Sequence, residues 1–233
     1  MSAPVTVGVS LKTYFGNAQA REWLTTIAAR AATHPGVADG TVQLFVIPTY
    51  LQIADALAAF AGTPIRVGAQ DVSEFEPGAY TGEVTAAELA EIGVTVVEIG
   101  HAERRRLFGD TADVVAAKTA TALRHGVTPV LCIGENEQTM DAAATTIAQL
   151  RDALAGAPSG PVIVAYEPVW AIGAPEPAPA THISAVTTAL RATLDELPDR
   201  DESVVIYGGS AGPGLLAALG DSVDGLFLGR FAH

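Results

Sequence analysis

An α/β fold of repeated strand–helix units, forming one domain over residues 1–233, is what this sequence predicts. Three observations predict it. Eight short apolar runs recur along the chain, the pattern of strands buried in a parallel sheet. Alanine-rich helical stretches lie between them, so that strands and helices alternate at roughly even spacing. No composition shift or long linker divides the chain, and its one biased stretch is the Pro/Ala-rich segment 174–180. Such units pair their strands in parallel, and they close as an eight-stranded barrel or open as a doubly wound sheet.

Taken in order, strands are expected at 5–9, 44–47, 65–69, 95–99, 129–133, 162–165, 204–207 and 225–228. Helices are expected near 18–33, 51–60, 86–92, 112–124, 140–154, 183–197 and 214–219. Thr85 followed by Glu88 forms a capping box ahead of the third helix, and Gly126 stops the fourth. The sixth strand, VIVA, follows Ser159, Gly160 and Pro161 and ends at Glu167, because Pro168 cannot continue a ladder and restricts the residue before it.

At 233 residues and 49% hydrophobic composition the chain has ample core. Twenty-six acidic against thirteen basic residues give a formal charge of −13, which argues against nucleic acid and anionic membranes as partners. An anionic substrate must then be held by local positive groups. A lone Cys132 excludes an internal disulfide and suits a reducing compartment; inside an apolar strand it reads as a small core hydrophobe. The start MSAPVTVGVS lacks a basic region followed by a long apolar run, and no run reaches the length of a membrane span. The expectation is a cytoplasmic protein.

In a barrel the functional groups sit at the C-terminal ends of the strands. Those ends carry Ser10 and Lys12, then Gln70 and Asp71, then His101, Glu103, Arg104 and Arg105. Cys132, Gly134 and Glu135 follow the fifth strand, Glu167 the sixth, Gly208 to Gly212 the seventh, and Gly229 and Arg230 the eighth. Each alone has a plainer account: Lys12 as a solvated loop residue, His101 as a satisfied core histidine, the charged cluster after it as a helix surface. A carboxylate at the end of a buried strand, however, is costly unless something uses it. After Glu167 the apolar stretch Pro168, Val169, Trp170, Ala171 and Ile172 is closed by Gly173 and by prolines at 175, 177 and 179. It suits a lid moving on hinges at its two ends.

The motifs VGVSLKTYF, VGAQDVSEFEPGAYTGEV, VEIGHAERRRLFGD, VLCIGE, AYEPVWAIG, YGGSAGP and DGLFLG together resemble the triosephosphate isomerase family, in order and over nearly the whole chain. The resemblance implies a (β/α)8 barrel and a cofactor-free, metal-free isomerase acting on a small phosphorylated sugar. It makes Glu167 the base that moves a proton between neighbouring carbons, His101 the polarising and shuttling group, and Lys12 the positive charge, oriented by Glu103. The backbone N–H groups of Gly173, Ser210, Gly229 and Arg230 are expected to cradle phosphate, under a lid of 168–172. The loop 70–82 is expected to reach into a second subunit of a homodimer, with Thr81 near Lys12 of the partner subunit.

Four departures stand out: Ser10 in place of asparagine, Ala102 in place of serine, a lid continuing Ala174-Pro175-Glu176-Pro177, and Arg230 in place of a second glycine. With FVIPTY and DGLFLGR they resemble the branch that isomerises erythrulose phosphates in erythritol breakdown. That implies interconversion of L-erythrulose 1-phosphate and D-erythrulose 4-phosphate, with Ser10 leaving room for a fourth carbon. Triosephosphate isomerisation in glycolysis is the alternative, and a catalytically silent binding barrel a third reading. The family's final helix has no counterpart before His233, so it is expected to be missing.

Overall fold

The computed structural model describes residues 4–233. Its strands are β1 (Val5–Ser10), β2 (Val42–Ile47), β3 (Arg66–Ala69), β4 (Val96–Ile99), β5 (Thr128–Ile133), β6 (Ile163–Tyr166), β7 (Val204–Tyr207) and β8 (Gly225–Leu228). All neighbours pair in parallel, and β8 returns to β1 to close the barrel. The closing seam matches Thr6 with Gly225 and runs on to Val9 with Leu228. The barrel resolves the choice left by the alternation of elements.

The helices are α1 (Asn17–Thr33), α2 (Pro35–Ala38), α3 (Ile53–Ala59), α4 (Ala86–Glu91), α5 (Ala102–Phe108), α6 (Ala112–Arg124), α7 (Ala142–Ala153), α8 (Ala180–Glu196) and α9 (Leu215–Leu219). Two were not expected. Helix α2 is one turn opened by Pro35, and α5 buries none of its residues, so neither shows an apolar stripe. The expected second helix starts later than 51, because Tyr50–Gln52 forms a 3-10 turn before α3. Thr85 Oγ1 does accept from the Glu88 N–H, and Gly126 takes φ +71° after α6. Beyond β8 the described residues form a 3-10 turn, Arg230–Ala232, whose last carbonyl accepts from Trp23 Nε1 at 2.9 Å. Among the described residues no helix is long and apolar enough to cross a membrane.

Two apolar layers hold the fold. The outer one packs helices on the barrel through residues such as Leu24, Leu89, Leu131, Ile183 and Leu190. The inner one fills the barrel with Phe45, Ile47, Val96, Val130, Cys132, Ile163, Ala165, Ile206 and Phe227. A Cβ on Gly8 would meet the Phe45 ring at 2.1 Å, so the glycine makes the space that this ring fills. Truncating a buried phenylalanine of this kind costs about 3–5 kcal/mol. Side chains alternate faces along a strand, so the inner series continues two residues further at each strand end. It continues from Gly8 to Ser10, from Val96 to Glu98, from Ala165 to Glu167, from Ile206 to Gly208 and from Phe227 to Gly229. That ring is the floor of the site.

Candidate active site

A cavity of about 1040 Å³ opens at the C-terminal ends of the strands, lined by Ser10, Lys12, His101, Glu103, Glu167, Gly173, Ser210, Gly229 and Arg230 among others. The expected catalytic and phosphate-binding residues thus line one cavity together with Val169 and Ile172 of the lid, whereas Pro168, Trp170 and Ala171 of the lid, and Gln70, Asp71, Arg104, Cys132 and Glu135 at the strand ends, are not among its lining residues. Its basic rim of Lys12, Arg105, Arg106 and Arg230 opposes the acidic charge of the whole chain.

Lys12 leaves β1 with φ +48°, a left-handed conformation that costs a non-glycine residue about 1–3 kcal/mol and gathers at functional sites. Its carbonyl is held by Gln70 Nε2 at 2.8 Å. Its ammonium lies 2.9 Å from Glu98 Oε1 and 3.9 Å from Glu103 Oε2. Burial alone would lower the lysine's pKa, but the Glu98 and Glu167 carboxylates outweigh it and hold the ammonium above its ordinary range.

His101 precedes α5 and caps it: its Nδ1 accepts from the Glu103 N–H at 3.1 Å. A neutral ring accepting at Nδ1 carries its proton on Nε2. That Nε2 points across the floor, 3.4 Å from Glu167 Oε2 and 4.0 Å from Glu98 Oε1. Glu167 follows β6 and is 6% exposed, yet its Oε2 has no hydrogen-bond partner. Burial raises its pKa, against the pull of His101 and Lys12. A buried carboxylate oxygen without a partner is expensive and is free to take a proton from a ligand.

The lid begins at Pro168, turns through the 3-10 segment Val169–Ala171 and reaches Gly173 at φ +73°. It is tied down at several points. Trp170 Nε1 donates to Glu135 Oε1 at 2.8 Å, and the Val169 N–H to the Glu135 carbonyl at 2.9 Å. Ser210 Oγ donates to the Ala171 carbonyl at 2.8 Å, and the Ala178 N–H to Tyr207 Oη at 3.0 Å. The buried Glu135 carboxylate also meets Tyr166 Oη and His182 Nε2, at 3.1 and 2.9 Å. Burial pushes the Tyr207 hydroxyl up to about 12 and the Cys132 thiol well above its usual range, so both stay protonated at neutral pH.

Sequence reasoning missed one member of this site, Glu98, and placed another, Gly208, without seeing its role. Glu98 joins Ser10 and Lys12 from below, and its signal was a single carboxylate inside the apolar run VVEI. Gly208 leaves room for the base, since a Cβ there would stand 2.6 Å from Glu167 Oε1. Assembled, the site sets a carboxylate base opposite an imidazole N–H and an ammonium, an arrangement able to move a proton beside a carbonyl.

Comparison with known proteins agrees with this geometry. The sequence model described as Triosephosphate isomerase matches residues 5–233. The chain is 50% identical to the L-erythrulose-1-phosphate isomerase of Pectobacterium atrosepticum, over 100% of this chain and 92% of that protein. It is 38% identical to the enzyme of the same name from Mesorhizobium japonicum, over 83% and 80% of the two chains. It is 41% identical to the triosephosphate isomerase of Leifsonia xyli, over 82% and 78%. A closed parallel barrel, this site at its C-terminal end and a match over almost every described residue lead to one conclusion: the chain is an isomerase belonging to the triosephosphate isomerase family.

Proposed function

We propose that the enzyme interconverts L-erythrulose 1-phosphate and D-erythrulose 4-phosphate through an enediolate. The observation that carries proton transfer is the unpartnered Oε2 of Glu167, facing His101 Nε2 across the cavity floor. Glu167 removes the proton from the carbon beside the carbonyl and returns it to the neighbouring carbon. His101 donates through Nε2 to the oxygens that gain charge and carries the hydroxyl proton from the oxygen that becomes the new carbonyl to the old carbonyl oxygen, while Lys12 adds its positive field; such donors are worth most where water is excluded. The backbone N–H groups of Gly173, Ser210, Gly229 and Arg230 hold the phosphate. The lid keeps water from an intermediate that would otherwise lose phosphate.

The four-carbon substrate is supported by the 50% identity to an L-erythrulose-1-phosphate isomerase and by the short Ser10 on the floor. Measuring kcat/KM for L-erythrulose 1-phosphate and for dihydroxyacetone phosphate tests it. The four-carbon ester is expected to react at least tenfold faster, and the reverse ratio would overturn the reading.

The same reading includes a cytoplasmic homodimer of single-domain subunits. Its support is the loop 70–82, where exposed Phe75 and Tyr80 stack at 4.2 Å while Lys118 and Arg104 clamp Asp71 at the loop's base. Light scattering showing a monomer at micromolar concentration would count against the dimer.

A further inference from the structure

Glu98 is 2% exposed on β4, where every other residue is apolar and buried. An ion at such a depth has an effective desolvation cost of several kcal/mol and persists where partners answer it. Its partners all belong to the site: Lys12 Nζ and Ser10 Oγ, each at 2.9 Å, and His101 Nε2 at 4.0 Å. Ser10 and Lys12 line the cavity, whereas Glu98 lies behind them and does not. Glu98 is therefore a positioning residue, acting on a ligand through Ser10 and Lys12.

Its effect on Ser10 is one of polarity. Burial pushes the Glu98 carboxyl up, but the Lys12 ammonium, His101 and the two hydrogen bonds outweigh it and hold it below its usual range. It is thus ionised at neutral pH and can only accept. A serine hydroxyl owns one proton, and here that proton is committed to Glu98 Oε2. What Ser10 Oγ turns to the cavity is lone pairs alone. A ligand group meeting it must donate: a hydroxyl satisfies it, while a carbonyl, an ether oxygen or a methyl group leaves it unpaired. The shared carboxylate also ties Ser10 to Lys12 and His101, so this acceptor sits at the proton-transfer end of the cavity.

We infer that Glu98 and Ser10 form an acceptor site for a donating hydroxyl on the carbon beyond the reacting pair, so that the enzyme selects ketose phosphates bearing a free terminal hydroxymethyl group. This rests on the four-carbon reading and deepens it, because it states which atom of the fourth carbon is read and in which direction its hydrogen bond runs.

The experiment compares L-erythrulose 1-phosphate with its 4-deoxy and 4-deoxy-4-fluoro analogues, on wild type, Glu98→Gln and Ser10→Ala. Wild type is expected to lose about 10–100-fold in kcat/KM on both analogues, the scale of one buried acceptor left unpaired. In Glu98→Gln the amide oxygen faces Lys12 and the amide N–H donates to Ser10, which frees the serine proton to point into the cavity. The penalty on the fluoro analogue, a weak acceptor, is then expected to shrink about tenfold relative to wild type. Ser10→Ala, which leaves Glu98 with Lys12, is expected to abolish the discrimination between parent and 4-deoxy analogue even if Glu98→Gln fails to fold. Equal wild-type turnover of parent and 4-deoxy compound would overturn the inference while leaving the four-carbon reading standing. An unchanged parent-to-deoxy ratio in Ser10→Ala would do the same. Absence of turnover of the parent itself removes both, and is read before any analogue is used.

Discussion

Gly208 and the Glu167 carboxyl compete for one volume: a Cβ on the glycine would lie 2.6 Å from Glu167 Oε1 and 2.8 Å from its Cγ. Gly208 is not among the residues with positive φ, so alanine suits its backbone. The clash must be relieved by the flexible carboxyl arm. Gly208→Ala is therefore expected to fold with a melting temperature close to wild type and to lose about 100-fold in kcat, as a displacement of roughly 1 Å at a reacting group does. A circular-dichroism melt beside an initial-rate assay checks it, and unchanged kcat would show that Glu167 need not sit where it does.

Glu167→Gln keeps the shape and removes the base, so turnover is expected to fall by a thousandfold or more, on the order of a missing general base. The same change relieves the burial of a charge. The melting temperature at neutral pH is expected to rise by about 2–4 °C, the effect of roughly 1 kcal/mol in a chain of this size. Near-normal activity would make Glu167 a structural residue.

Burial raises the Glu167 pKa, and the sign of its effect differs between activity and stability. As pH falls, the folded state takes this proton before the unfolded state does, so protonation at Glu167 stabilises the fold through that window. Activity moves the other way, because a protonated Glu167 cannot accept. The acid limb of kcat/KM is expected above the ordinary glutamate range, with folding stability undiminished by this group there. A limb at or below the ordinary range would contradict the desolvated base.

Trp170→Phe deletes the indole N–H that donates to Glu135 and keeps the aromatic body of the lid. Glu135 retains Tyr166 and His182, so the fold is expected to survive. Loss of one charge-assisted hydrogen bond, about 1.5–3 kcal/mol, loosens the lid and is expected to lower kcat/KM at least tenfold. Steady-state kinetics decide it, and unchanged kcat/KM would remove the indole bond from the lid's working.

Beneath the loop 70–82, Lys118 is 5% exposed and bonds Asp71 and Asp110, each at 2.8 Å. Lys118→Met leaves both carboxylates with Arg104 alone. A loss of about 3–5 kcal/mol is expected by urea unfolding, the usual result of removing one member of a buried ion cluster.

The strands were legible because each is a short apolar run, and Lys12, His101 and Glu167 because they stand where those runs stop. Helix α5 was not, since a helix that buries none of its residues shows no apolar period. The place of Glu98, and the inward facing of Gly208, were hidden for a different reason. Strand β4, and β7 from Val205 to Tyr207, are buried on both faces, so no alternation marks which side chains enter the barrel. Closure of the barrel supplied that phase: with Val96 and Ile206 inside, Glu98 and Gly208 must be inside too.

The seam between β1 and β8 also governs the order in which the molecule can assemble. Each of its pairs joins residues more than two hundred positions apart, as Thr6 with Gly225 does. No local turn brings them together, so the entropy of closing almost the whole chain is charged to this contact. During synthesis β1 waits without its second neighbour until β8 has left the ribosome. The floor that unites Ser10 from β1 with Gly229 after β8 is therefore completed by the last long-range step of folding, and a partly synthesised chain has helices and strands but no finished site.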